Sequence, residues 1–436
     1  MNARAIALQV LTACRRNDAW ADAALKAALQ RETPGAADAA LASRIVYGVL
    51  QNRMLLDHYL GAYCAQRLDH LQQPLPDVLR IGAYQILFLD KVPDHAAVSE
   101  AVELAKANKR GAAAGLVNAV LRRLSQNKGS LPALPRDAVE RLSVETSHPR
   151  WLTERMVSLL GAQEAEALLR ADNAVVPITA QVNPLKTTAD RLVAELAGAG
   201  VAAKPHPWVP DCVELTGVGD LSTLPAFYRG EFLVQDAAAR LVSLVAGAEP
   251  GMAVLDVCAA PGGKSFSAAF AMENRGRIVS CDLHENKLRR IRDGAKRLGV
   301  GIVETQAADG RVFRPEWEDA FDVVLCDVPC SGLGIIRKKP DVRYKDPAPL
   351  AALPDVQSAI LANASRYVKP GGVLVYSTCT VLPEENEGVT DAFLAAHGAF
   401  RYEALGLSVG GSAGYLTLFP HRNETDGFYI AKMRRL

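Results

Sequence analysis

Residues 254–265 read Val254-Leu255-Asp256-Val257-Cys258-Ala259-Ala260-Pro261-Gly262-Gly263-Lys264-Ser265: an apolar run, a loop of small residues and the opening of a helix. A strand that delivers its carboxyl end into such a loop is where open α/β sheets bind ligands. Further apolar runs alternate with helical stretches on either side, at Ala253 to Val257, Arg277 to Cys281, Ile302 to Gln306, Phe321 to Cys326 and Val373 to Ser377. This alternation predicts a parallel sheet covered by helices on both faces, so residues 226–436 are expected to form a Rossmann-like α/β domain.

The loop itself narrows the ligand. Gly263-Lys264-Ser265 ends like a phosphate loop, but that motif needs a glycine where Cys258 stands. The G-x-G-x-x-G pattern that admits a dinucleotide pyrophosphate is also missing. A nucleoside ligand without phosphate fits better. Asp282 closes the next strand, at a spacing that lets a carboxylate accept from both ribose hydroxyls, and Asp309 closes the third, placed to receive an adenine amino group. S-adenosylmethionine has that ribose and carries no phosphate. The plainer readings are a helix cap for Asp282 and a turn residue before Gly310 for Asp309.

Upstream, the pattern changes. From residue 1 to about 127 apolar residues follow three-and-four spacing, as at Leu75, Leu79, Gly82, Ile86 and Leu89, which predicts an all-α domain over 1–142. Asp94 is expected to cap the helix after Pro93. Residues 143–225 mix a helix (Trp151 to Arg170), a strand (Ile178 to Val182), a second helix (Thr188 to Ala197) and a strand around Val213, a small α+β subdomain ended by Pro205, Pro207 and Pro210. The chain is thus read as multidomain.

Its 436 residues carry 49 Lys plus Arg against 48 Asp plus Glu, so affinity for a polyanion must come from local patches. Three are visible. Ala105 to Ser130 holds Lys106, Lys109, Arg110, Arg122, Arg123 and Lys128 with no acid; Arg337, Lys338, Lys339, Arg343 and Lys345 form a second patch, expected to position phosphates. The third, Lys287 to Arg297, reads as the polar face of a helix. Eight scattered cysteines and a charged, helical N-terminal pattern over Met1 to Arg16 suit a reduced, cytoplasmic protein with no membrane partner. The longest uncharged run, Ala404 to His421, contains four glycines and a proline and cannot span a bilayer as a helix.

Two cysteines stand apart from the rest. Cys281 and Cys326 fall inside strands and read as core, whereas Cys330, in Asp327-Val328-Pro329-Cys330-Ser331-Gly332, and Cys379, in Tyr376-Ser377-Thr378-Cys379-Thr380, follow strand ends that face one cleft. No spacing completes four zinc ligands, so no metal is expected. A thiol beside a methyl donor can activate an unreactive pyrimidine: sulfur adds to C6, C5 becomes nucleophilic, and a base later removes the C5 proton. Asp327 is placed to supply an acid at N3, and the second thiol to assist release.

These motifs resemble those of the RNA cytosine-5 methyltransferases, over Asp256 to Lys264, Asp327 to Gly332 and Ser377 to Cys379, with Phe232 to Asp236 and Asp426 to Ile430 also matching. The resemblance implies that Cys379 attacks C6, that Cys330 assists product release and that Asp327 holds the cytosine. In DNA methyltransferases, by contrast, the proline-cysteine thiol attacks. The resemblance further implies that Cys258, Ala259, Ala260, Pro261, Gly262, Gly263, Lys264, Asp282, Asp309 and Asp327 line the S-adenosylmethionine site. Leu79 to Gln85, Pro93 to Val98 and Gly115 to Arg122 resemble the NusB RNA-binding fold. Together the two likenesses imply a monomeric enzyme acting on 16S rRNA without a protein partner. The alternatives are the same chemistry on another RNA such as tRNA, or a non-catalytic NusB-like assembly factor.

Overall fold

Three-and-four spacing of apolar residues produces a run of helices in the first part of the chain: α1 (Ala3–Asn17), α2 (Ala21–Glu32), α3 (Ala36–Gln51), α4 (Arg53–Tyr63), α5 (Leu75–Phe88), α6 (Asp94–Ala107), α7 (Ala114–Gln126), α8 (Ala138–Thr146), α9 (Arg150–Leu160) and α10 (Ala162–Ala171). They belong to a computed structural model that describes residues 2–17 and 19–436; Met1, where the N-terminal reading begins, and Asp18 lie outside the described residues. Among the described residues no helix is long and apolar enough to cross a membrane. The chain forms two compact units, Met1–Ala174 with Ile336–Lys345, and Val175–Ile335 with Asp346–Leu436.

In the helical unit α5 is the central element, packing against α1, α3, α4, α6 and α7. Leu75, Val78, Leu79, Ile81, Ala83 and Ile86 are buried, and so are its polar residues Asp77, Arg80 and Gln85. Each of those three is bonded, as buried polar groups must be. Asp94 does not cap α6. It is the first helical residue, and its carboxylate accepts from Ser125 Oγ at 2.8 Å. The single helix expected over Trp151 to Arg170 is two, because Gly161 adopts φ +80° between α9 and α10.

The segment Ile336–Lys345 groups with the helices, which corrects the phosphate-positioning role expected for Arg343. Its side chain is fully buried, and its Nη1 donates to the carbonyls of Thr146 (3.1 Å) and Ser147 (3.3 Å). Tyr344 donates to the carbonyls of Leu50 (2.8 Å) and Ser147 (3.0 Å). Both therefore close helix ends by satisfying open carbonyls.

The second unit begins with a small antiparallel sheet in the order β2-β3-β1-β4, from β1 (Ile178–Val182), β2 (Ala202–Pro205), β3 (Cys212–Thr216) and β4 (Phe232–Val234). The helix Ala189–Gly198 buries Leu192 and Leu196 in the same cluster as Val182, Val213 and Phe232. Compactness thus groups residues 143–174 with the helices, and the small sheet draws its last strand from beyond residue 225.

The large sheet contains β5 (Ala253–Asp256), β6 (Arg277–Asp282), β7 (Val303–Ala307), β8 (Phe321–Asp327), β9 (Val368–Thr378), β10 (Phe400–Tyr402), β11 (Tyr415–Leu418) and β12 (Phe428–Arg435). Its order is β10-β12-β9-β8-β5-β6-β7, with β11 also paired to β12. β5 to β9 are parallel, and β12 runs antiparallel to β9. Strands covered on both faces need continuous apolar runs, which is why Val323, Val324, Leu325, Leu374 and Val375 are all buried.

Gly334 pins the switch edge of this sheet. Its N–H donates to the Cys379 carbonyl (2.9 Å), and its own carbonyl accepts from Gly427 N (2.8 Å). A Cβ there would stand 1.9 Å from the Gly427 carbonyl oxygen, against backbone that cannot step aside. Gly334→Ala is expected to destabilise the chain by about 1–3 kcal/mol. Gly398→Ala, where a Cβ meets nothing within 4 Å, should leave stability nearly unchanged; urea unfolding of the two variants makes the comparison.

Candidate active site

The parallel ladder sets Asp327 of β8 opposite Ser377 of β9, so the two strands deliver their following loops to one edge. There the Cys330 and Cys379 sulfurs are 3.1 Å apart, and the Cys379 N–H points to the Cys330 sulfur at 3.3 Å. The Cys330 loop is held from below by Glu385, whose Oε2 accepts from Ser331 N (2.9 Å) and from Gln357 Nε2 (2.8 Å). Ser331 Oγ donates to Thr380 Oγ1 (2.8 Å), tying the two loops together. The hydrogen bond with Cys379 and then burial push the Cys330 thiol well above its ordinary range.

Asp327 lies between this pair and the glycine loop. Its Oδ2 is 2.6 Å from Lys264 Nζ, and its Oδ1 accepts from Ser377 Oγ at 2.8 Å. Lys264 also sits 5.2 Å from the centre of the Phe428 ring. Lys264 is thus an ion-pair partner of Asp327 that sequence reading did not give it.

A cleft of about 450 Å³ opens beside Asp327 at the carboxyl ends of β5, β6 and β8. Of the expected cofactor residues, Cys258, Ala260, Asp282, Asp309 and Asp327 line it. Ala259, Pro261, Gly262, Gly263 and Lys264 do not; they shape the turn behind it. Ala259 N donates to the Cys281 carbonyl, and Gly262, at φ +109°, caps the helix Gly263–Ala271 where any Cβ would strike the Phe266 ring at 2.6 Å. Cys258 belongs with Cys281 and Cys326: burial pushes its thiol up, as it does theirs.

Asp282 Oδ1 accepts from His284 N (2.9 Å), a turn bond to the residue before the helix Glu285–Leu298 and not a cap on its first turn, and lies 3.4 Å from Lys287 Nζ. One oxygen serves this turn, which leaves the other for ligand hydroxyls. Asp309 chelates Arg311 through both oxygens (3.0 and 2.7 Å), which holds its carboxyl below the usual range. Leu283, Val356 and Ile360, which no sequence motif had marked, supply the apolar walls together with Pro329 of the proline-cysteine motif, of a kind that suits a purine. Acid, apolar wall and the lack of a phosphate-binding glycine pattern all fit S-adenosylmethionine. Gln357 and Glu385 were likewise missed, since each acts through a tertiary bond with no local signature, and Ser377, though quoted in its motif, was given no role toward Asp327.

The fold and the cleft are those of an S-adenosylmethionine-dependent methyltransferase. Residues 244–434 match the 16S rRNA methyltransferase RsmB/F family, residues 1–126 the NusB family and residues 148–222 the RsmF/B-like ferredoxin-like domain. The chain is 36% identical to a probable ribosomal RNA small subunit methyltransferase B of Bacillus subtilis, over 99% of this chain and 98% of that one. It is also 36% identical to the ribosomal RNA small subunit methyltransferase B of Sodalis glossinidius, over 91% and 89% of the two chains. The crystal structure of PH0851 superposes with a TM-score of 0.83 at 27% identity, covering 100% of this chain and 99% of that one. A methyltransferase homolog protein from Pyrococcus horikoshii covers 70% of this chain and 100% of its own, with TM-score 0.59 and 28% identity. The chain belongs to the ribosomal RNA small subunit methyltransferase B family.

Behind the glycine loop, Asp256 is fully buried; it accepts from Ser265 Oγ (2.7 Å), and Ser280 in turn donates to Ser265 (2.7 Å). Burial raises its carboxyl to about 6. A carboxylate raised on folding costs stability when ionised, a penalty that sets in as pH rises through the ordinary value of 3.8 and reaches about 3 kcal/mol once pH is above 6. Asp256→Asn is thus expected to gain stability over the parent chain between pH 4 and pH 7.5, measured by urea midpoints; a difference that does not change with pH would contradict this.

Proposed function

We propose that this chain methylates C5 of a cytosine in 16S rRNA through a covalent bond between Cys379 and C6 of the base. The observation that carries the reading is the 3.1 Å approach of two loop thiols beside the Lys264–Asp327 pair. Three parts are assigned: residues 1–142 for RNA binding, 143–225 as a small α+β subdomain and 226–436 for catalysis, each containing one family match. Such an enzyme would work in the cytoplasm, on RNA with the target base extruded from its stack.

The roles follow from chemistry at named atoms. Of the two thiols, Cys379 is assigned as the attacking sulfur, with the Cys330 sulfur 3.1 Å away to assist it. As it bonds to C6, electron density moves toward N3, where the Lys264 ammonium supplies a proton and the Asp327 carboxylate accepts from the 4-amino group. S-adenosylmethionine, when bound, supplies the electrophilic methyl group on its sulfonium. A base then takes the C5 proton, which restores the C5–C6 double bond as the Cys379 sulfur leaves as thiolate, and Cys330, beside that sulfur, assists its release. Asp282 and Asp309 hold the ribose and adenine ends of the cofactor, in the loop shaped by Cys258 to Lys264.

RNA contact is assigned to α7 and the turn before it. In Ala105 to Ser130, Lys106 is paired with Glu103 and Lys128 lies 3.6 Å from Asp94, while Arg110 donates to the Gln73 carbonyl. Lys109, Arg122 and Arg123 are exposed, with no such bond among the described residues, and are the cations left for phosphates. On the helix Glu285–Leu298 most of the charges are already paired, and Arg297 donates to the Phe227 and Phe232 carbonyls.

Radiolabelled methyl transfer to deproteinised 16S rRNA, with mapping of the modified base, tests the reading. Cys379→Ala is expected to lose activity by at least about a thousandfold. Cys330→Ala is expected to accumulate a denaturant-resistant protein–RNA adduct on a gel. Label on tRNA alone, label at another atom, or an active Cys379→Ala would each refute it, and no transfer at all would favour the assembly factor.

A further inference from the structure

A cavity of about 260 Å³ lies inside the helical unit, and none of its wall residues has been given a part in catalysis. Its walls come from α1 (Cys14, Arg15), α3 (Val49, Leu50), the start of α4 (Arg53), α5 (Asp77, Arg80) and the Ile336–Lys345 segment (Asp341, Tyr344, Lys345). Four cationic side chains face two carboxylates, an imbalance that needs tracing bond by bond.

Arg80 is saturated. Its Nε and Nη2 donate to the two oxygens of Asp57 (2.7 and 2.8 Å) and its Nη1 to Asp77 Oδ1 (2.7 Å). Asp77 Oδ2 accepts from Arg15 Nε (3.1 Å), so Asp57 and Asp77 are spent on Arg80 and Arg15. Asp341 accepts from the N–H of Ala21, the first residue of α2, where the helix start already offsets its charge.

Arg53 is left over. It is half-buried, and among the described residues it has no hydrogen bond or ion pair; its one recorded partner is the Tyr344 ring, 5.1 Å from its Cζ. Burial and the neighbouring Arg80 push this guanidinium down from its ordinary range. A second observation is independent of the first: Arg15 Nη2 is buried and donates to nothing. An unsatisfied buried donor on Arg15 and a half-buried Arg53 that no carboxylate bonds, although Asp57 and Asp77 attract it through space, line one cavity and call for an anion.

We propose that this cavity binds a phosphate group through the guanidinium groups of Arg53 and Arg15. Two forked cations suit a tetrahedral oxyanion better than a single ammonium would. The volume is below the roughly 300 Å³ at which drug-sized ligand pockets begin, which selects one anionic group with its waters over a whole nucleotide. Both an RNA backbone phosphate and free inorganic phosphate have this chemistry.

The test uses the full chain with sodium phosphate, against sodium chloride at matched ionic strength, and with oligouridine as the RNA probe. Arg53→Gln is expected to weaken phosphate binding by about tenfold or more. Arg67→Gln, whose partner Asp69 lies outside the cavity in an exposed pair, should have no effect. A parallel loss of oligouridine affinity in Arg53→Gln identifies RNA as the source of the phosphate; unchanged oligouridine affinity identifies free phosphate. In the unmodified chain, phosphate should protect Arg53 from phenylglyoxal, read by peptide mass spectrometry, which needs no variant to fold. Equal phosphate binding by Arg53→Gln and the parent chain, or no protection of Arg53, would overturn the proposal.

Discussion

The register between β8 and β9 is the constraint on which the site depends. Because Asp327 stands opposite Ser377 in a parallel ladder, the chain leaves both strands at the same height and on the same side. A slip of one residue would turn every side chain of the shifted strand to the other face, taking Asp327 away from Lys264 or Ser377 away from Asp327. The continuous apolar runs of both strands, buried on two faces, oppose that slip. Glu385 then fixes what the register leaves open: its carboxylate anchors the Cys330 loop through Ser331, while its backbone carbonyl accepts from Tyr376 on β9 at 2.6 Å. The sulfur pair is thus held from both strands.

Charge is arranged around this frame so that each group has one task. Asp256, buried and raised, supports the strand end behind the loop; Asp327, partnered by Lys264 and Ser377, faces the cleft. Three other cysteines of the sheet, Cys258, Cys281 and Cys326, are pushed up by burial and kept inert, although they lie within the same domain. Only the loop thiols combine access with a hydrogen-bonded partner. In the helical unit Arg80 is held by carboxylates and Arg343 donates to helix-end carbonyls, whereas Arg53 has no bonded carboxylate, which drew attention to its cavity.

Much of this was legible in the chain. Strand ends carry short, local signals, so Asp256, Asp282, Asp309, Asp327 and Cys379 fall at or just beyond observed strand ends. What was not legible depends on distance in sequence. The Lys264–Asp327 pair spans 63 residues and the Ser377–Asp327 bond 50. β2 was hidden because Pro205 reads as a terminator, yet a proline can end an edge strand without breaking a ladder. β4 is only three residues long and has no period to detect. The basic segment Arg337 to Lys345 looked like a phosphate contact from its charges alone, and only the fold reveals that Arg343 closes helix carbonyls. Charge runs record composition; their use is decided by packing.

The central claim is that one sulfur, that of Cys379, bonds to the pyrimidine. The most direct measurement is peptide mapping by mass spectrometry after reaction with S-adenosylmethionine and 16S rRNA in which cytosine is replaced by 5-fluorocytosine, since fluorine at C5 blocks the elimination that frees the enzyme. The account predicts a methylated nucleotide attached to the peptide that carries Cys379. Attachment to the peptide carrying Cys330, or methylation with no attachment at either, would contradict it.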